Sequence, residues 1–425
     1  MPVKSAALRN PVEDFRRSQR RSTREGKQER TDAAMQEFNR SQSRPHARWQ
    51  GLAFPDIWLM IAWFALVVIG LVMVTSASMP EAMARDLNSM YFFKRQAAYY
   101  LGGLVLAYMV FLLPVNVFYE HASKLLLLTF FLLWLVFVPG IGATVNGASR
   151  WINFRVFNFQ VGELVKLVMI VYAAQYLQRN NYRIDSSWKP MFWLLFIGGV
   201  FSLLLLKQPD FGTTFVMMAT LMGMMFMAGA SMKRYFTLVG VVSVLMVAAL
   251  LMAPYRRARL ISFLDPWANP YDQGYQLSNS LIAVGRGGFS GVGLGESVQK
   301  YQYLPEAHTD FIFAIISEEL GMLGALTVMI LLALVVWRAF AIGQLADRVR
   351  KRFASYIAYG IGLWVGCQSL INIGVATGAL PTKGLTLPFI SYGGSSVLVL
   401  FVALALLLRI DAESRFQARR EGLIR

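Results

Sequence analysis

The sequence has little of what most catalytic or metal-binding proteins rely on: it holds one cysteine and three histidines in 425 residues. A single cysteine cannot form an internal disulfide, and Cys367 lies in an apolar stretch, which indicates a packing residue. The sequence contains no Cys or His cluster with metal-ligand spacing, no Ser-His-Asp order and no repeat of fixed period. These absences exclude a disulfide scaffold, a dedicated metal site and a triad hydrolase.

Acidic residues are also scarce, with 24 Asp and Glu against 41 Lys and Arg, which gives a net charge of +17. Residues 1–52 are polar, basic and poor in aliphatic side chains, so they cannot bury enough surface to fold alone. We expect a disordered cytoplasmic tail that sets orientation and attracts anionic lipid rather than nucleic acid. This tail is too long and polar to begin a cleavable signal peptide.

Apolar residues make up 56% of the chain and form runs of about 20 residues, the length that crosses a bilayer. The fold class predicted is an all-α polytopic integral membrane protein with ten transmembrane helices and both termini cytoplasmic. The membrane domain covers 53–410, and 411–425 form a C-terminal cytoplasmic tail. The predicted helices are 56–78, 93–115, 122–140, 160–178, 188–206, 212–230, 234–253, 311–337, 354–378 and 388–409.

The positive-inside rule supports this orientation, because the proposed inner loops are richer in Lys and Arg than the outer ones. The exception is a basic group, Arg256, Arg257 and Arg259, at the start of the longest outer loop, 254–310, between helices 7 and 8. These arginines either weaken the topology or bind something anionic outside the membrane.

The long outer loop contains two further patterns. In "LSNSLIAVG" the apolar residues fall at helical spacing, which predicts an interfacial helix. The glycine-rich "GRGGFSGVGLG", 285–295, resembles a nucleotide loop, but such a loop needs a preceding strand, a following helix and access to ATP. A flexible, turn-rich loop is favoured. A third interpretation is that its backbone N–H groups and Arg286 cradle a lipid-linked phosphate.

Several charged residues lie in or beside predicted helices. Glu163 and Lys166, three residues apart, form either an ion pair that orients the bundle or part of a polar cavity wall. Asp210, in "KQPDFGTT", is expected to cap the following helix. Lys383, in the Pro- and Gly-rich "LPTKGLTLPFISYGGSS", either meets a phosphate or snorkels to the interface.

The stretch "YLPEAHTDFIFAIISEELG", 303–321, places titratable groups Glu306, His308 and Asp310 at the predicted outer surface. Asp310 is either a helix cap or a general base on a hydroxyl of a substrate with a lipid tail and polar head. Glu318 and Glu319 lie deeper and are expected to pair inside the bundle. The residues alone therefore indicate a cavity open to the outside with one candidate base, and leave open whether the protein is an enzyme or a transporter.

From about residue 55 onward the chain resembles the SEDS family of FtsW, RodA and SpoVE, and is more similar to its FtsW members. The resemblance is strongest in "YLPEAHTDFIFAIISEELG", "GYQLSNSLIAVGRGG" and "LPTKGLTLPFISYGGSS". It implies ten membrane helices and a peptidoglycan glycosyltransferase that polymerises lipid II at the division septum, with undecaprenyl pyrophosphate as leaving group. The implied location is the bacterial cytoplasmic membrane, and the implied partners are a class B penicillin-binding protein and other divisome membrane proteins.

The resemblance places the essential aspartate on Asp310, the acid–base pair on Glu163 and Lys166, and the FtsW-type lysine on Lys383. Arg286, Lys383 and a divalent cation, Mg²⁺ or Mn²⁺, are candidates to stabilise the leaving group. The full set of predicted substrate-binding residues is Glu163, Lys166, Arg286, Glu306, His308 and Lys383.

One position departs from the family pattern. Many relatives have Asp two residues after the tryptophan of "DPWAN", where this chain has Asn269 with Asp272 nearby. We infer that this position is not the base. A lipid II flippase and a non-catalytic divisome scaffold remain the alternative functions.

Overall fold

The computed structural model describes residues 55–145, 148–153, 158–272 and 274–424; the predicted tail 1–52 lies outside them. The helices, numbered in chain order, are α1 Ile57–Ala84, α2 Tyr91–Leu112, α3 Val115–Leu135, α4 Val161–Arg179, α5 Asn181–Ile184, α6 Lys189–Lys207, α7 Phe211–Met227, α8 Met232–Met252, α9 Pro254–Leu264, α10 Tyr275–Gly287, α11 Ile312–Arg348, α12 Arg352–Ala376 and α13 Gly394–Arg420. The strands are β1 Gly142–Val145, β2 Ala148–Asn153 and β3 Asn158–Gln160.

Each of the ten predicted transmembrane stretches falls on its own helix, namely α1–α4, α6–α8 and α11–α13. Seven of the described helices, α1, α3, α6, α8, α11, α12 and α13, are long and apolar enough to cross a membrane. Of the other three, α7 is apolar but has 17 residues, and α4 contains Glu163 and Lys166. The multi-pass membrane fold is therefore confirmed. The last helix continues to Arg420, so most of the predicted C-terminal tail is helical.

Burial separates a central group of helices, α4, α7, α12 and α13, from the periphery. In their most apolar stretches 72% of α12 and 83% of α13 are buried, against 6% of α8. A helix that is buried on all sides cannot show a one-sided apolar pattern, and a helix that faces lipid is apolar on its outside too. For this reason the sequence pattern located these helices without revealing which of them form the centre.

The longest helix, α11, is broken at Gly321, where φ is 65° and ψ is −162°. The glycine segment, residues 285–295, packs directly against this break. The N–H groups of Val292 and Gly293 donate to the carbonyls of Glu318 and Glu319, at 3.0 and 3.1 Å. In return Met322 N–H donates to the Gly288 carbonyl at 3.0 Å, so the segment satisfies backbone groups that the broken helix leaves free.

Glycine is required here because the two backbones touch. A Cβ on Gly287 would lie 1.8 Å from the Ser317 carbonyl oxygen, and one on Gly291 would lie 2.2 Å from that of Glu319. The segment is therefore an ordered packing element, and the expectation of a flexible loop was wrong. The interpretation as a phosphate cradle fails as well, because the N–H groups of Gly291, Val292 and Gly293 are already bonded to backbone carbonyls.

The side chains of Glu318 and Glu319 are buried and paired, as expected, but most of their partners come from the outer loop. Ser297 Oγ donates to Glu318 Oε2 at 2.5 Å. Lys300 Nζ lies 2.8 Å from Glu319 Oε1, and Ser76 Oγ of α1 donates to the same oxygen at 2.7 Å. These buried charges anchor the loop to α1 and α11.

The helix predicted in "LSNSLIAVG" is α10, and its existence is confirmed. The structure buries Leu277, Ser278, Asn279, Ser280 and Ala283, and α10 packs against α11 and α12. The helix is therefore part of the protein interior rather than a purely interfacial helix. A second amphipathic helix, α9, begins the long loop and carries the three arginines.

The prediction of an all-α fold missed a small antiparallel sheet of order β1-β2-β3 in the loop between α3 and α4. Trp151 and Ile152 pair with Gln160 and Phe159, as expected for aromatic and β-branched residues in a hairpin. From β2, Arg150 donates to the carbonyls of Gln208 and Pro209 at 3.0 and 2.6 Å. The sheet thereby holds the turn before α7.

We predict that Gly287→Ala and Gly291→Ala each destabilise the protein, because the added methyl must push apart two hydrogen-bonded backbones. The expected loss is about 1–3 kcal/mol, seen as a lower melting temperature of the purified protein in detergent. Gly285→Ala is the matched control, since a Cβ added there meets no described atom within 4 Å. Equal melting temperatures for all three variants would contradict the close packing described here.

Candidate active site around Asp310

The Asp310 segment is held by the α12–α13 loop, which we define as residues 377–393. Ser391 Oγ donates to the Thr309 carbonyl at 2.6 Å, and Asn372 Nδ2 of α12 donates to the Asp310 carbonyl at 2.8 Å. Ser391 also accepts a hydrogen bond from Leu387 N–H at 2.7 Å. The backbone of Asp310 is thus fixed by neighbours that lie more than sixty residues away in sequence.

The carboxylate of Asp310 is the exception to this network: among the described residues it has no hydrogen-bond or ion-pair partner. The N-cap of α11 is Phe311, and no side chain caps that helix, so the interpretation of Asp310 as a cap is wrong. The carboxylate lies against Gly384, where an added Cβ would be 2.9 Å from Asp310 Oδ2. The carboxylate is therefore free to accept a proton.

The pKa of Asp310 is raised to about 7, chiefly by burial and then by the negative charge of Glu306. Arg150 and Arg259 oppose this rise, and Asp210 adds to it slightly. A general base works best when its pKa lies near the operating pH. Asp310 meets that condition through its surroundings, since an unperturbed Asp has a pKa of about 3.9.

Beside Gly384 lies a cavity of about 290 Å³. It is bounded by the turn before α7, the start of α9 and the α12–α13 loop. Four basic side chains line the cavity: Arg150, Arg256, Arg259 and Lys383. Among its described lining residues, Asp210 is the single acid. A cavity with this charge balance attracts an anion such as a phosphate.

Lys383 faces this cavity and does not snorkel away from it. Its Nζ lies 4.3 Å from the ring centre of Phe211 and 5.0 Å from that of Phe215. Burial, together with the nearby charge of Arg256, lowers the pKa of Lys383 to about 8. The ammonium has no carboxylate partner in the described part of the chain, so it is available to an anionic ligand.

The arginines on α9 are the basic group that departs from the positive-inside rule, and their position in the structure suggests why. Arg256 and Arg259 line the cavity, which favours the interpretation that they bind something anionic. Arg150 was missed as a site residue, since nothing in the sequence links β2 to the turn at 208–209. Asp210 caps α7 as expected, accepting from Thr213 N–H at 3.1 Å.

Glu163 and Lys166 form the predicted pair, with Nζ and Oε1 2.9 Å apart. Both side chains are buried and neither lines this cavity, which favours an ion pair within the helix packing, and their binding of substrate stays a prediction. Lys166 also donates to Gln368 Oε1 at 2.7 Å and lies over the ring of Trp364. The Gln368 amide in turn donates to the Thr386 carbonyl at 2.8 Å, which connects the pair to the α12–α13 loop.

The other predicted site residues lie apart from the cavity. Arg286 pairs with Glu318 at 3.4 Å. Glu306 is exposed and accepts from Thr309 Oγ1 at 2.7 Å. The ring of His308 is buried against Phe92, with centroids 4.9 Å apart, and burial lowers its pKa. Their binding of substrate stays a prediction.

Asn269 belongs to an exposed turn, where its carbonyl accepts from the N–H groups of Asp272 and Gly274. Neither Asn269 nor Asp272 lines the cavity, and the inference that this position is not the base stays a prediction. Among the residues that the structure describes, no group of three His, Cys, Asp or Glu side chains could hold a metal ion.

Comparison with known proteins identifies the family. Residues 57–416 match the family model FtsW/RodA/SpoVE, described as a cell cycle protein. A probable peptidoglycan glycosyltransferase FtsW from Dichelobacter nodosus is 56% identical over 92% of this chain and 99% of its own length. A protein of the same description from Methylococcus capsulatus is 48% identical over 86% of this chain and 92% of its own.

Solved structures agree with these relatives. A chain from a peptidoglycan synthase complex that coordinates polymerization and crosslinking superposes with a TM-score of 0.72 at 27% identity, covering 86% of this chain and 99% of that one. The rod shape determining protein RodA of Thermus thermophilus gives a TM-score of 0.62 at 26% identity, covering 84% and 96%. From the match over most of its length, the chain belongs to the FtsW/RodA/SpoVE family.

Proposed function

We propose that this protein is a peptidoglycan glycosyltransferase of the FtsW type, which polymerises lipid II into glycan strands with Asp310 as general base. The observation that carries the proposal is the unpaired Asp310 carboxylate beside a cavity lined by basic side chains. The names of the relatives support the reaction class. A lipid II flippase would need the polar cavity but no general base.

In the proposed reaction Asp310 takes the proton from the acceptor sugar hydroxyl of lipid II. The hydroxyl oxygen attacks the anomeric carbon of the growing chain, forming the new glycosidic bond. The bond from that carbon to undecaprenyl pyrophosphate breaks, and its electron pair leaves with the pyrophosphate. The proton remains on Asp310 until water accepts it.

The basic cavity supplies the second requirement of this reaction, which is charge stabilisation on the leaving group. Negative charge develops on the bridging oxygen as the bond breaks, and preorganised cations nearby lower the barrier. Lys383, Arg256 and Arg259 are the groups we assign to this role, with Arg150 holding the cavity wall. Lys383 packs against Phe211 and Phe215, and Arg256 donates to the Ala249 carbonyl, so these two cations are already held at the cavity.

This assignment requires that the site face the outside of the cytoplasmic membrane, where lipid II presents its sugars. We propose ten transmembrane helices, α1–α4, α6–α8 and α11–α13, with both termini in the cytoplasm. The basic inner loops support this orientation.

The division septum as location and a class B penicillin-binding protein as partner are part of the proposal. The peptidoglycan synthase complex among the structural neighbours supports such a partner.

The topology is tested by cysteine labelling in a Cys367→Ala background. A cysteine at the exposed Glu296 should react with an impermeant thiol reagent added to intact cells. A cysteine at the exposed Arg348 should react only after the cells are opened, because it lies at the proposed cytoplasmic end of α11. The reverse pattern would overturn the proposed orientation.

The base is tested by Asp310→Asn, which keeps the size of the side chain and removes its proton affinity. We expect the variant to fold and bind its partner, and to polymerise lipid II at least about a hundredfold more slowly. The measurement is a gel-resolved time course with purified wild-type and variant complexes at equal concentration. Near-normal polymer from the variant would eliminate Asp310 as the base, whereas a wild-type complex that makes no polymer would favour the flippase or scaffold function.

The raised pKa predicts a pH dependence. Only the ionised carboxylate can take a proton, so polymerisation should slow about tenfold per pH unit below about pH 7. Glu306→Gln removes a charge that raises the pKa of Asp310, so the acid limb should move to lower pH. A profile that is flat between about pH 5.5 and about 7, or a limb that Glu306→Gln leaves in place, would contradict the assignment.

A further inference from the structure

Asn372 makes an unusual pair of contacts for one side chain. Its Nδ2 donates to the carbonyl of Asp310 at 2.8 Å and to the carbonyl of Leu385 at 2.6 Å. The side chain is buried, so water cannot replace either bond at low cost. One amide on α12 therefore ties the peptide of the base to the α12–α13 loop.

Gly384 precedes Leu385 and lies on the other side of the base. A Cβ added there would meet two described atoms within 4 Å, Asp310 Oδ2 at 2.9 Å and Asp310 Cγ at 3.8 Å. The φ angle of Gly384 lies outside the left-handed region. Alanine is therefore compatible with the backbone there, and among the described residues its methyl group would crowd the carboxylate alone.

No hydrogen bond from the described residues orients the Asp310 carboxylate, so its position depends on the contact with Gly384. Its place is set by the peptide that Asn372 holds and by the glycine surface that it touches. Both constraints act through the same short stretch of the loop, residues 384–385. One turn earlier on α12, Gln368 Nε2 donates to the carbonyl of Thr386, the residue after Leu385, and Gln368 Oε1 accepts from Lys166. These bonds hold the adjacent part of the loop in place.

We propose that Asn372 and Gly384 are positioning residues for Asp310: the Asn372 amide fixes the peptide of the base, and Gly384 leaves the space that its carboxylate occupies. The proposal rests on the proposed function, since it concerns the base of that reaction. Neither residue itself takes part in the proton transfer or the bond formation. Their effect is to hold the carboxylate at the distance and angle from which it can take the proton, and misplacement by about 1 Å can cost about a hundredfold in rate.

The experiment compares Asn372→Ala, Gly384→Ala and wild type in the purified complex, measuring kcat and KM for lipid II polymerisation from about pH 5.5 to about 8.5. We expect both variants to lower kcat by about a hundredfold and to leave KM unchanged, because neither substitution alters the basic side chains assigned to the lipid-linked phosphate. In Asn372→Ala the carboxylate gains access to water, so the acid limb should also move to lower pH. The charged groups around Asp310 are Glu306, Arg150, Arg259 and Asp210, and neither substitution changes them.

Ser280→Ala is the matched control. Its hydroxyl donates to the Ala376 carbonyl at 2.8 Å, so the variant also loses a buried hydrogen bond to α12, but it contacts neither Asp310 nor Leu385. We expect wild-type kcat and an unchanged acid limb. Gly384→Ala keeps every hydrogen bond of the loop, so it remains informative even where Asn372→Ala does not assemble.

Two results separate this inference from the function on which it rests. If Asp310→Asn is inactive while Gly384→Ala and a folded Asn372→Ala both keep wild-type kcat, the positioning proposal is wrong and the base stands. A rise in KM with constant kcat, or an equal loss in Ser280→Ala, would likewise overturn it. If Asp310→Asn polymerises normally, Asp310 is not the base and the proposed mechanism itself fails.

Discussion

Lipid offers no hydrogen bonds, so every backbone group that leaves a helix inside the bundle must find a partner within the protein. The structure meets this constraint at two places. At the break in α11 the glycine segment bonds the carbonyls of Glu318 and Glu319. Ahead of α11, side chains of α12 and the α12–α13 loop bond the carbonyls of residues 309 and 310. The short half-helix between these two places carries the candidate base at one end.

The same shortage of water governs the charges. A buried charge is costly unless it is paired, and several buried acids follow that rule. Glu163 pairs with Lys166, Glu319 with Lys300, and Asp56 with Arg338 and Arg415. Asp310 departs from it, with a carboxylate that no described residue pairs and with basic side chains across the adjacent cavity. An unpaired carboxylate beside unpaired cations is the arrangement expected of a site that binds a charged ligand, and it marks this region as the candidate site.

Comparison of expectation with structure shows which inferences sequence supports. The ten apolar stretches each became a helix, because a run of about 20 apolar residues has few alternatives in a bilayer. Local contacts were also foreseen, such as the Glu163–Lys166 pair and the Asp210 cap, since both partners lie within one helical turn. The glycine segment was misjudged, because its partner is a helix break about thirty residues later. The small sheet was missed for a different reason, because strands of three to six residues are too short to show a clear alternating pattern.

By itself the sequence determined the class of protein, the order of its helices and the identity of the candidate base. These follow from hydropathy and from short motifs, whose physics acts between neighbours along the chain. Only the tertiary structure decided which charges are paired, which cations share a cavity and what holds Asp310. Arg150, Arg256 and Lys383 are far apart in sequence, and their convergence depends on how β2, α9 and the α12–α13 loop pack. Packing of distant segments is a property of the whole chain, and no local pattern encodes it.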